Sequence, residues 1–346
     1  MIIALGILAH NEASDIGNLI YDLRSQDLLS NDSLSIEIHV VANGCSDPTV
    51  SVSNEALSTG PFQRRNVRVF VHDVPQAGKS NAWNELIHNL ASPKTDFIFL
   101  LDADIRIPEK MCLQVILDSL IRAKRALIAV DESVKDLSLE RHKSIIERLI
   151  VAGSGTSHDT RIAIAGGLYC ARFEALKRIW MPIGLPGEDG FLRAMILTSN
   201  FTEEENIDYL VFVEGARHIF ESERRIRDVF RHNVRLTIGT AINVLLFKHF
   251  YKLRLGGNVS IADYVRQRNA ADKNWINKLI ADKMKQKKYF IIDPSYVLKR
   301  LKWFYFFPTF EKIRKAPIFL LGVIFDIALF IRANHLMRRG AGAGYW

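Results

Sequence analysis

Cysteine is scarce in this chain of 346 residues, which contains only Cys45, Cys112 and Cys170. The three are far apart and form no CxxC pair, so the sequence has no local zinc knuckle, dithiol redox site or disulfide scaffold. This usage of cysteine favours a reducing, cytosolic setting.

A long hydrophobic run is missing from the amino terminus. The opening residues MIIALGILAHNEAS lack the basic front region and the small-residue cleavage site of a signal peptide. We therefore expect a buried first strand there. The first half of the chain also lacks GxGxxG and GxxxxGK[ST], so any phosphate must be bound without the usual glycine-rich loops.

The composition is otherwise globular, but the charge is unevenly distributed. Residues 1–221 contain 21 Lys+Arg against 30 Asp+Glu, a net charge of −9, whereas residues 222–346 contain 25 against 8, a net charge of +17. A basic segment of this size attracts polyanions such as anionic lipid headgroups, nucleic acid or a phosphorylated acceptor. No recognised nucleic-acid-binding motif accompanies it, so we expect no nucleic acid partner.

Four short apolar runs alternate with helical periods in the first third of the chain. The runs cover residues 2–8, 36–42, 67–71 and 97–101. Such alternation predicts an α/β fold with a doubly wound, mostly parallel sheet, whose ligands bind beyond the carboxyl ends of the strands. Polar clusters follow all four runs.

The fourth of these clusters contains two carboxylates two residues apart, Asp102 and Asp104. A DxD pair at a strand end can hold a hard divalent cation, which in turn can bridge the oxygens of a diphosphate. The same pattern also occurs in plain turns, so the motif alone leaves both readings open.

The succession ILAHNEA, VVANGCSDPT, GKSNAWN, FLLDADI and GEDGFL resembles, in order and spacing, the motifs of the family 2 glycosyltransferases with a GT-A fold. The resemblance covers about residues 1–235 and implies a catalytic domain of that extent, followed by a tail at 236–346. It also implies a metal-dependent hexosyl- or N-acetylhexosaminyl-transferase that uses a nucleotide-diphosphate-sugar.

The resemblance places the donor at the first four strand ends, with His10, Glu12, Asn43, Lys79 and Asp102 as the binding residues. Asn43 stands where the family more commonly has an acidic residue, so the identity of the donor's nucleobase stays open. A UDP-sugar is expected only because the resemblance makes it the more usual donor. Lys79 precedes a helix whose amino-terminal dipole favours anions, so it can add a positive charge at the diphosphate; a solvated surface lysine is the alternative.

The resemblance further implies Mn²⁺ or Mg²⁺ held by Asp102, Asp104 and His218. His218 follows IDYLVFV, where some relatives have a third ligand. Imidazole is an acceptable but not a preferred ligand for these ions, and a lone histidine is commonly structural, so both readings stay open.

The acceptor side is expected downstream. Residues 162–170 predict a strand in which Gly166 and Gly167 either permit a close approach by a ligand or another backbone, or form a bulge in a core strand. Glu188 and Asp189 begin the next helix, where acidic residues often only complement the helix dipole. The resemblance implies instead that Asp189 is the general base of an inverting displacement, with Gly166, Gly167 and Glu188 on the acceptor side.

The stretch ERRIRDVFRHNVR is expected to place four arginines near one helix face: Arg224, Arg227, Arg231 and Arg235. It resembles the QRxRW element of polymerising relatives, with Arg225 and Arg227 at its two arginine positions. Arg224 and Asp228 replace the Gln and the Trp, which argues against a processive polysaccharide synthase. Arg225 and Arg227 are expected to contact the donor diphosphate or a phosphorylated acceptor.

Residues 295–339 combine apolar and aromatic runs, WFYFFPTF and IFLLGVIFDIALFI, with three basic clusters: Lys299, Arg300 and Lys302; Lys312, Arg314 and Lys315; Arg332, Arg338 and Arg339. The apolar stretch 318–331 is interrupted by Asp326 and is shorter than the roughly 20 residues that a spanning helix needs. We expect a helical, basic appendage with peripheral or monotopic attachment to the anionic inner face of the cell membrane. A buried helical hairpin or an oligomer contact is the alternative.

These features predict an inverting transferase that moves a single sugar to an acceptor such as a lipid-linked glycan, in glycan or cell-surface polysaccharide biosynthesis. Two alternatives remain: a nucleotidyltransferase on a similar sheet, and a non-catalytic, membrane-attached protein that binds nucleotide sugars. The sequence specifies neither the sugar, the linkage nor the oligomeric state.

Overall fold

An eight-stranded sheet forms the centre of the part of the chain that the structure describes. The structure, a computed structural model, describes residues 1–154, 163–164, 166–257, 259–286, 290–298, 300 and 309–340. Within these residues the strands are β1 Ile2–Ala9, β2 Ser35–Asn43, β3 Val67–Val74, β4 Phe97–Asp102, β5 Ile105–Arg106, β6 Ile128–Lys135, β7 Leu168–Arg172 and β8 Leu210–Phe220.

Helices connect the strands and continue beyond the last one. In the same described residues they are α1 Ile16–Arg24, α2 Thr49–Leu57, α3 Lys79–Glu85, α4 Cys112–Arg122, α5 Asp136–Leu139, α6 Ile145–Ser154, α7 Phe173–Leu176, α8 Glu188–Leu197, α9 Ile226–Leu255, α10 Ile261–Ala271, α11 Trp275–Gln286 and a C-terminal helix, Thr309–Arg338. A π turn, Leu86–Leu90, extends α3.

The strand order is β3-β2-β1-β4-β7-β6-β8-β5. Strands β3, β2, β1 and β4 are mutually parallel, β6 and β8 are parallel to each other, and β7 and β5 run against their neighbours. This confirms the predicted α/β fold with a mostly parallel sheet. Because β1 pairs Leu8 with Asp102 and Ala9 with Ala42, the first, second and fourth strand ends lie at one edge.

The strand predicted at 162–170 begins later than expected. Strand β7 starts at Leu168 and is antiparallel to β4, and Gly166 and Gly167 lie in the turn before it. Residues 155–162 and 165 lie outside the described part of the chain. Without side chains to pack, the two glycines favour a turn over a strand.

Two apolar clusters cover the two faces of the sheet, because successive strand side chains point in opposite directions. Ile3, Leu5 and Ile7 of β1 pack with α1 and α4, whereas Ala4 and Leu8 pack with α3, α8 and α9. Each fully buried large side chain contributes roughly 1.5–3 kcal/mol to stability, so both clusters hold the sheet in place.

The tail shares the second of these clusters. Leu329, Phe330, Ala333 and Met337 of the C-terminal helix are buried in the same cluster as Phe191 of α8. Helix α9 also runs across residue 235, where the division into two domains was predicted. The division stays a prediction, and the C-terminal helix contributes to the core on one of its faces.

The other face of the C-terminal helix is exposed and apolar, with Leu320, Leu321, Ile324, Ile327 and Ile331 each more than 40% accessible. Phe319–Arg338 is long enough and apolar enough to cross a membrane, judged by length and composition alone. Of its apolar 18-residue window, 22% is buried within the protein. Asp326, which interrupts the apolar run, forms an ion pair with Arg300 at 2.6 Å.

Part of the predicted basic and aromatic clusters lies outside the described residues. Lys299, Lys302 and most of the WFYFFPTF run lie outside the described residues, and the side chains of Lys312, Arg314 and Lys315 are not described either. Arg332 and Arg338 are exposed on the C-terminal helix, and Arg339 is exposed in the turn after it.

Candidate active site

Lys79 and Asp102 meet at the carboxyl edge of the sheet. Asp102 ends β4 and Lys79 begins α3, and the Nζ of Lys79 lies 2.7 Å from the Oδ1 of Asp102. The same Nζ lies 3.2 Å from the Oε1 of Glu188, at the start of α8. The side chains of Lys79 and Asp102 are 24% and 26% exposed, so a ligand can reach both.

Lys79 is positively charged at neutral pH. Burial disfavours its charged form, but the carboxylates of Asp102, Glu188 and Asp189 outweigh burial and hold the pKa of Lys79 well above its usual value. Burial raises the pKa of Asp102, and Asp104 and Glu188 raise it further against the attraction of Lys79. One lysine therefore does not neutralise the carboxylates around it.

The excess of negative charge extends to the first strand end. Burial, followed by the charges of Asp104, Asp15, Asp102 and Asp47, raises the pKa of Glu12 to about 7. Carboxylates that raise one another's pKa values in this way would be stabilised by an added cation. Oxygen ligands of this kind are those that Mg²⁺ and Mn²⁺ prefer.

The predicted metal ligands are only partly brought together. Asp102 ends β4, and Asp104 is exposed in the turn that leads to β5. Among the described residues, no three His, Cys, Asp or Glu side chains lie close enough to one another to hold a metal ion as they stand. The carboxylates at this edge fit a divalent cation chemically, but they do not form a closed cage.

The turn at Gly166 and Gly167 brings three predicted site residues to one place. The backbone N–H of Asp102 donates to the carbonyl oxygen of Gly167 at 2.9 Å. A Cβ on Gly166 would collide with the carboxylate of Asp189, and a Cβ on Gly167 would lie 2.5 Å from the Nε2 of His218. The glycines are therefore required for side chains to approach this backbone closely.

Asp189 lies in the first turn of α8 and faces the Lys79–Asp102 pair across a small cavity. Burial and the neighbouring charge of Glu188 raise the pKa of Asp189 to about 8, against the attraction of Lys79. The backbone of Gly166 donates a hydrogen bond to this carboxylate. A carboxyl group with a pKa near neutrality has the property that a general base needs.

The back wall of the cavity is aromatic. Trp83 and Tyr169 line it, and the indole N–H of Trp83 donates to the hydroxyl of Tyr169 at 2.9 Å. The sequence predicts no role for either side chain. Their hydrogen bond joins positions 86 residues apart, which local patterns do not reveal.

Hydrogen bonds connect the segments that follow β1, β2 and β3. The Nδ2 of Asn43 donates to the carbonyl oxygen of Ala9 at 2.7 Å, and its Oδ1 accepts from the N–H of Gly78 at 2.9 Å. Asn43 is 2% exposed, so contact with a donor base would require it to leave one of these partners. His10 is exposed, and its Nδ1 donates to the carbonyl oxygen of Asn43 at 2.6 Å.

Helix α9 supports the loop that immediately precedes Glu188 and Asp189. A Cβ on Gly239 would collide with the carbonyl oxygen of Pro186, and the Nδ2 of Asn243 donates to the carbonyl oxygen of Gly187 at 2.7 Å. From the other side, Asn84 of α3 exchanges two hydrogen bonds of 2.8 Å with the backbone of Met181. Sequence reasoning missed these supports, although Asn84 belongs to the GKSNAWN motif.

His218 is 1% exposed and lies on β8. Its Nδ1 is within 2.8 Å of the carboxylate of Asp131 on β6, a residue that sequence reasoning did not single out. Its ligand role stays a prediction.

The arginine stretch differs from the sequence expectation. Helix α9 begins at Ile226, so Arg224 does not belong to the helix face predicted for it. Arg224 instead pairs with Asp136 at 2.8 Å and with Glu140 at 2.6 Å, and these acidic partners explain why the chain leaves the helical path there. Arg225 and Arg227 are exposed at the start of α9 and do not line the cavity, so their donor contact stays a prediction.

Comparisons with known proteins bear on this arrangement. The family model described as glycosyl transferase family 2 matches residues 5–180. Curated proteins gave no match. Three solved structures illustrate the likeness in fold, and all are less than 20% identical to this chain.

The first is glucosyl-3-phosphoglycerate synthase from Mycobacterium tuberculosis in complex with Mg²⁺ and UDP, at 18% identity and TM-score 0.44, covering 70% of this chain and 78% of that one. The second is mannosyltransferase PcManGT from Pyrobaculum calidifontis in complex with GDP-Man and Mn²⁺. It is 15% identical with a TM-score of 0.49, and the match covers 96% of this chain and 86% of that one. The third is a 1–349 fragment of TarS from S. aureus in complex with UDP. It is 12% identical with a TM-score of 0.47, and the match covers 98% of this chain and 92% of that one.

Proposed function

The chain belongs to glycosyl transferase family 2, and we propose that it is an inverting, metal-dependent enzyme that transfers one sugar from a nucleotide-diphosphate-sugar to an acceptor hydroxyl. A UDP-sugar is the proposed donor. One observation carries the proposal: the carboxylate of Asp189 lies across a small cavity from the Lys79–Asp102 pair, at the carboxyl edge of a mostly parallel sheet. Ligands of such sheets bind at this edge.

Asp189 is the proposed general base. Its carboxylate takes the proton of the acceptor hydroxyl while the hydroxyl oxygen forms a bond to the anomeric carbon. The bond from that carbon to the diphosphate oxygen breaks, and its electron pair leaves with the nucleoside diphosphate. A single displacement of this kind inverts the anomeric centre and needs only one base.

Lys79 and the carboxylates are proposed to stabilise the negative charge of the departing diphosphate, Lys79 directly and the carboxylates through a bound cation. Lys79 keeps its charge at neutral pH and is reachable, so its ammonium group can contact the phosphate oxygens. Asp102 and Asp104 would hold Mn²⁺ or Mg²⁺, with His218 as a further ligand. The bound ion would neutralise charge on the leaving group.

The same charge balance controls the base. The pKa of Asp189 is raised because burial and nearby carboxylates oppose its ionisation. Asp189 releases its proton more readily once positive charge is added to the site, because a nearby cation favours the carboxylate form. The base would therefore become active when the site is loaded.

The decisive test is Asp189→Asn, which preserves shape and removes the base. We expect glycosyl transfer to fall by 10²- to 10⁴-fold, the usual contribution of general base catalysis, while the affinity for the nucleotide sugar measured by calorimetry is retained. Glu205→Gln is a matched control, because Glu205 is exposed and pairs with Arg193 of the same helix α8. Transfer at the wild-type rate by the Asn variant would refute the assignment.

The two alternatives make different predictions for the same protein. A nucleotidyltransferase would release pyrophosphate from a nucleoside triphosphate, and the geometry gives the buried Asp189 no role in that reaction. A non-catalytic protein would bind the nucleotide sugar without turnover, in the wild type as well as in the variant.

The tail is proposed to attach to the anionic, cytoplasmic face of the cell membrane and to bring the site to a lipid-linked acceptor in glycan biosynthesis. Two features support this: the net charge of +17 in residues 222–346 and the exposed apolar face of the C-terminal helix. An apolar face next to basic residues is typical of helices that lie in the membrane interface.

Truncation is a poor test of this attachment, because Phe330 and Met337 are buried in the core. Flotation of the full chain with anionic vesicles is better. We expect Ile324→Gln combined with Ile327→Gln to reduce binding, whereas Ile146→Gln, at an exposed apolar site in α6, should not. Equal flotation of all these proteins would refute attachment through this face.

A further inference from the structure

Residues 181–187 form the loop that leads into helix α8 and to Asp189. Two asparagines of the tail, Asn243 on α9 and Asn269 on α10, donate hydrogen bonds to the two ends of this loop. We propose that both are positioning residues: they hold the loop so that the carboxylate of Asp189 keeps its place at the cavity. The proposal rests on the proposed function, because it takes Asp189 as the general base.

Asn243 lies against the first turn of α8. Its Nδ2 donates to the carbonyl oxygen of Gly187, the residue that precedes the helix, at 2.7 Å. A Cβ on Gly187 would stand 3.2 Å from this nitrogen and a Cβ on Gly190 would stand 3.0 Å from it, both closer than an ordinary contact. The two glycines that flank Glu188 and Asp189 in the sequence therefore make room for Asn243.

Stability alone gives little reason for an asparagine at position 243. Its Oδ1 is buried, and none of the described residues donates a hydrogen bond to it. A buried acceptor without a donor is unfavourable, because it has lost its hydration. The carbonyl oxygen of Gly187 also accepts from the N–H of Phe191 at 3.3 Å, so it has a partner without Asn243. What Asn243 adds is a fixed position for the start of α8.

Asn269 holds the other end of the loop. Its Nδ2 donates to the carbonyl oxygen of Met181 at 2.8 Å, and its Oδ1 accepts from the N–H of Ile183 at 3.2 Å. The indole N–H of Trp275 donates to the same Oδ1 at 3.0 Å, and because an indole can only donate, this bond fixes the orientation of the amide. Asn269 is buried, so water does not compete for these bonds.

Helix α3 connects the loop to the donor side of the site. The Oγ of Ser80 donates to the carbonyl oxygen of Leu185 at 3.3 Å, and Asn84 bonds to the backbone of Met181. Lys79 is the first residue of the same helix. The position of the proposed base relative to Lys79 is therefore determined by contacts with three helices, and two of these contribute asparagines of the tail.

The loop depends on such side chains because it is irregular. Its backbone groups have no ladder or helix of their own, and Gly184 in its middle has a φ of +76°, a conformation that favours glycine. A catalytic group must stay within about 0.5 Å of its productive position. Loss of a contact that holds the loop is therefore expected to reduce the rate as well as the stability.

The proposal extends the catalytic unit into the tail. The family model matches residues 5–180, and the predicted catalytic domain ends at residue 235. Both asparagines lie beyond that boundary. Residues of the tail would then take part in catalysis by holding the loop, independently of any attachment to a membrane.

The tail contains a matched control. Asn334 is likewise a buried asparagine, and its Oδ1 accepts from the N–H groups of Ile291 and Ile292 at 2.9 and 3.1 Å. Its Nδ2 donates to the carbonyl oxygen of Phe330 at 2.9 Å. These partners lie outside the loop, so Asn334→Ala removes the same kind of contact elsewhere in the tail.

The experiment compares Asn243→Ala, Asn269→Ala and Asn334→Ala in the full chain. We expect kcat for sugar transfer to fall by about 10²-fold in the first two, because a misplacement of about 1 Å can have this effect, while the Kd of UDP measured by calorimetry is retained. Asn334→Ala should lower the midpoint of urea unfolding similarly and keep the wild-type kcat. An equal loss of kcat in all three variants, or wild-type kcat in both loop variants, would overturn the proposal.

A second comparison uses Asp189→Asn as the background. Because Asn243 and Asn269 act through Asp189, their replacement should add little to the loss of rate that Asp189→Asn already causes. General damage to the structure would instead lower the residual rate by the same factor as in the wild type, and that result would contradict the positioning role.

Hydrogen exchange of the wild type covers the case in which a variant does not fold. The amide of Ile183 donates to Asn269, so it should exchange as slowly as the amides inside α10. Exchange of this amide as fast as in an unstructured peptide would show that Asn269 does not hold the loop.

The outcomes separate this proposal from the proposed function. If Asp189→Asn lowers transfer and neither asparagine variant does, the positioning role is wrong and the general base stands. If Asp189→Asn leaves transfer unchanged, Asp189 is not the base, and the positioning role is wrong as well.

Discussion

The backbone of Gly166 lies directly against the carboxylate of Asp189, so that a Cβ on this glycine would stand 2.7 Å from the Cγ of Asp189. The two residues belong to different elements, the turn before β7 and the first turn of α8. The proposed base is therefore positioned by a residue that has no side chain.

Gly166→Ala should push Asp189 out of place. Because a misplacement of about 1 Å can cost 10²-fold in rate, we expect transfer to fall by about that factor while the nucleotide sugar still binds. Gly17→Ala in α1 is the control, since a Cβ there meets nothing within 4 Å and should leave transfer unchanged. Steady-state kinetics and calorimetry check both variants, and normal turnover by Gly166→Ala would contradict the positioning.

Gly239→Ala should destabilise the protein and lower transfer together. A Cβ at this position of α9 would stand 2.9 Å from the carbonyl carbon of Pro186, in the loop before Asp189. Overpacking of this kind costs about 1–3 kcal/mol, which urea unfolding can measure. Thr240→Ala, at the exposed neighbouring position of the same helix, should have little effect on either property.

The contribution of Asp189 to the free energy of unfolding without divalent metal should fall as the pH rises from about 4 to 8. The contributions of four histidines whose pKa values are lowered by burial rise with pH over part of this range, so the effect of Asp189 is measured against a variant that lacks it: these histidines are His39, His72, His88 and His249. The pKa of Asp189 is raised to about 8 in the folded state, so the folded protein keeps a proton that the unfolded chain loses at lower pH. This contribution is complete below the unfolded pKa and is lost as the pH rises through the folded one. Glu12, with a pKa of about 7, acts in the same direction.

Urea unfolding across this pH range checks the expectation. Asp189→Asn cannot ionise at this position, so the stability of the wild type relative to this variant should fall as the pH rises. Parallel curves for the two proteins would show that Asp189 ionises normally.

Removal of divalent metal should abolish transfer. Chelation leaves the excess carboxylates around Lys79 without a second cation, and added Mn²⁺ or Mg²⁺ should restore the rate. Asp102→Asn should raise the metal concentration needed for half-maximal rate, since Asp102 is a proposed ligand. Full activity after complete chelation would exclude the role proposed for Asp102 and Asp104.

Several features could be predicted from the sequence because their signals are local. Apolar runs of the right length located β1, β2, β3 and β4, and polar residues directly after them located the edge where Lys79 and Asp102 meet. The motif GEDG likewise placed Glu188 and Asp189 at a helix start, which the structure confirms as the beginning of α8.

The predictions from sequence were less successful where contacts with distant residues, rather than neighbours along the chain, determine the local structure. Periodicity placed Arg224 on a helix face, but Asp136 and Glu140, more than 80 residues away, hold it outside α9. The hydrogen bonds of the Asn43 amide to the backbone of Ala9 and Gly78 were not predicted either, and its role in donor binding stays a prediction.

The amino-acid sequence by itself determined the family, the parallel half of the sheet and the edge that carries the carboxylates, because periodicity and motifs act over a few residues. Only the tertiary structure decided that Asp131 meets His218, 87 residues away, and that Gly239 approaches Pro186. Such contacts arise when separate elements pack on a common core. Their residues are ordinary in their own segments, and their spacing leaves no local pattern.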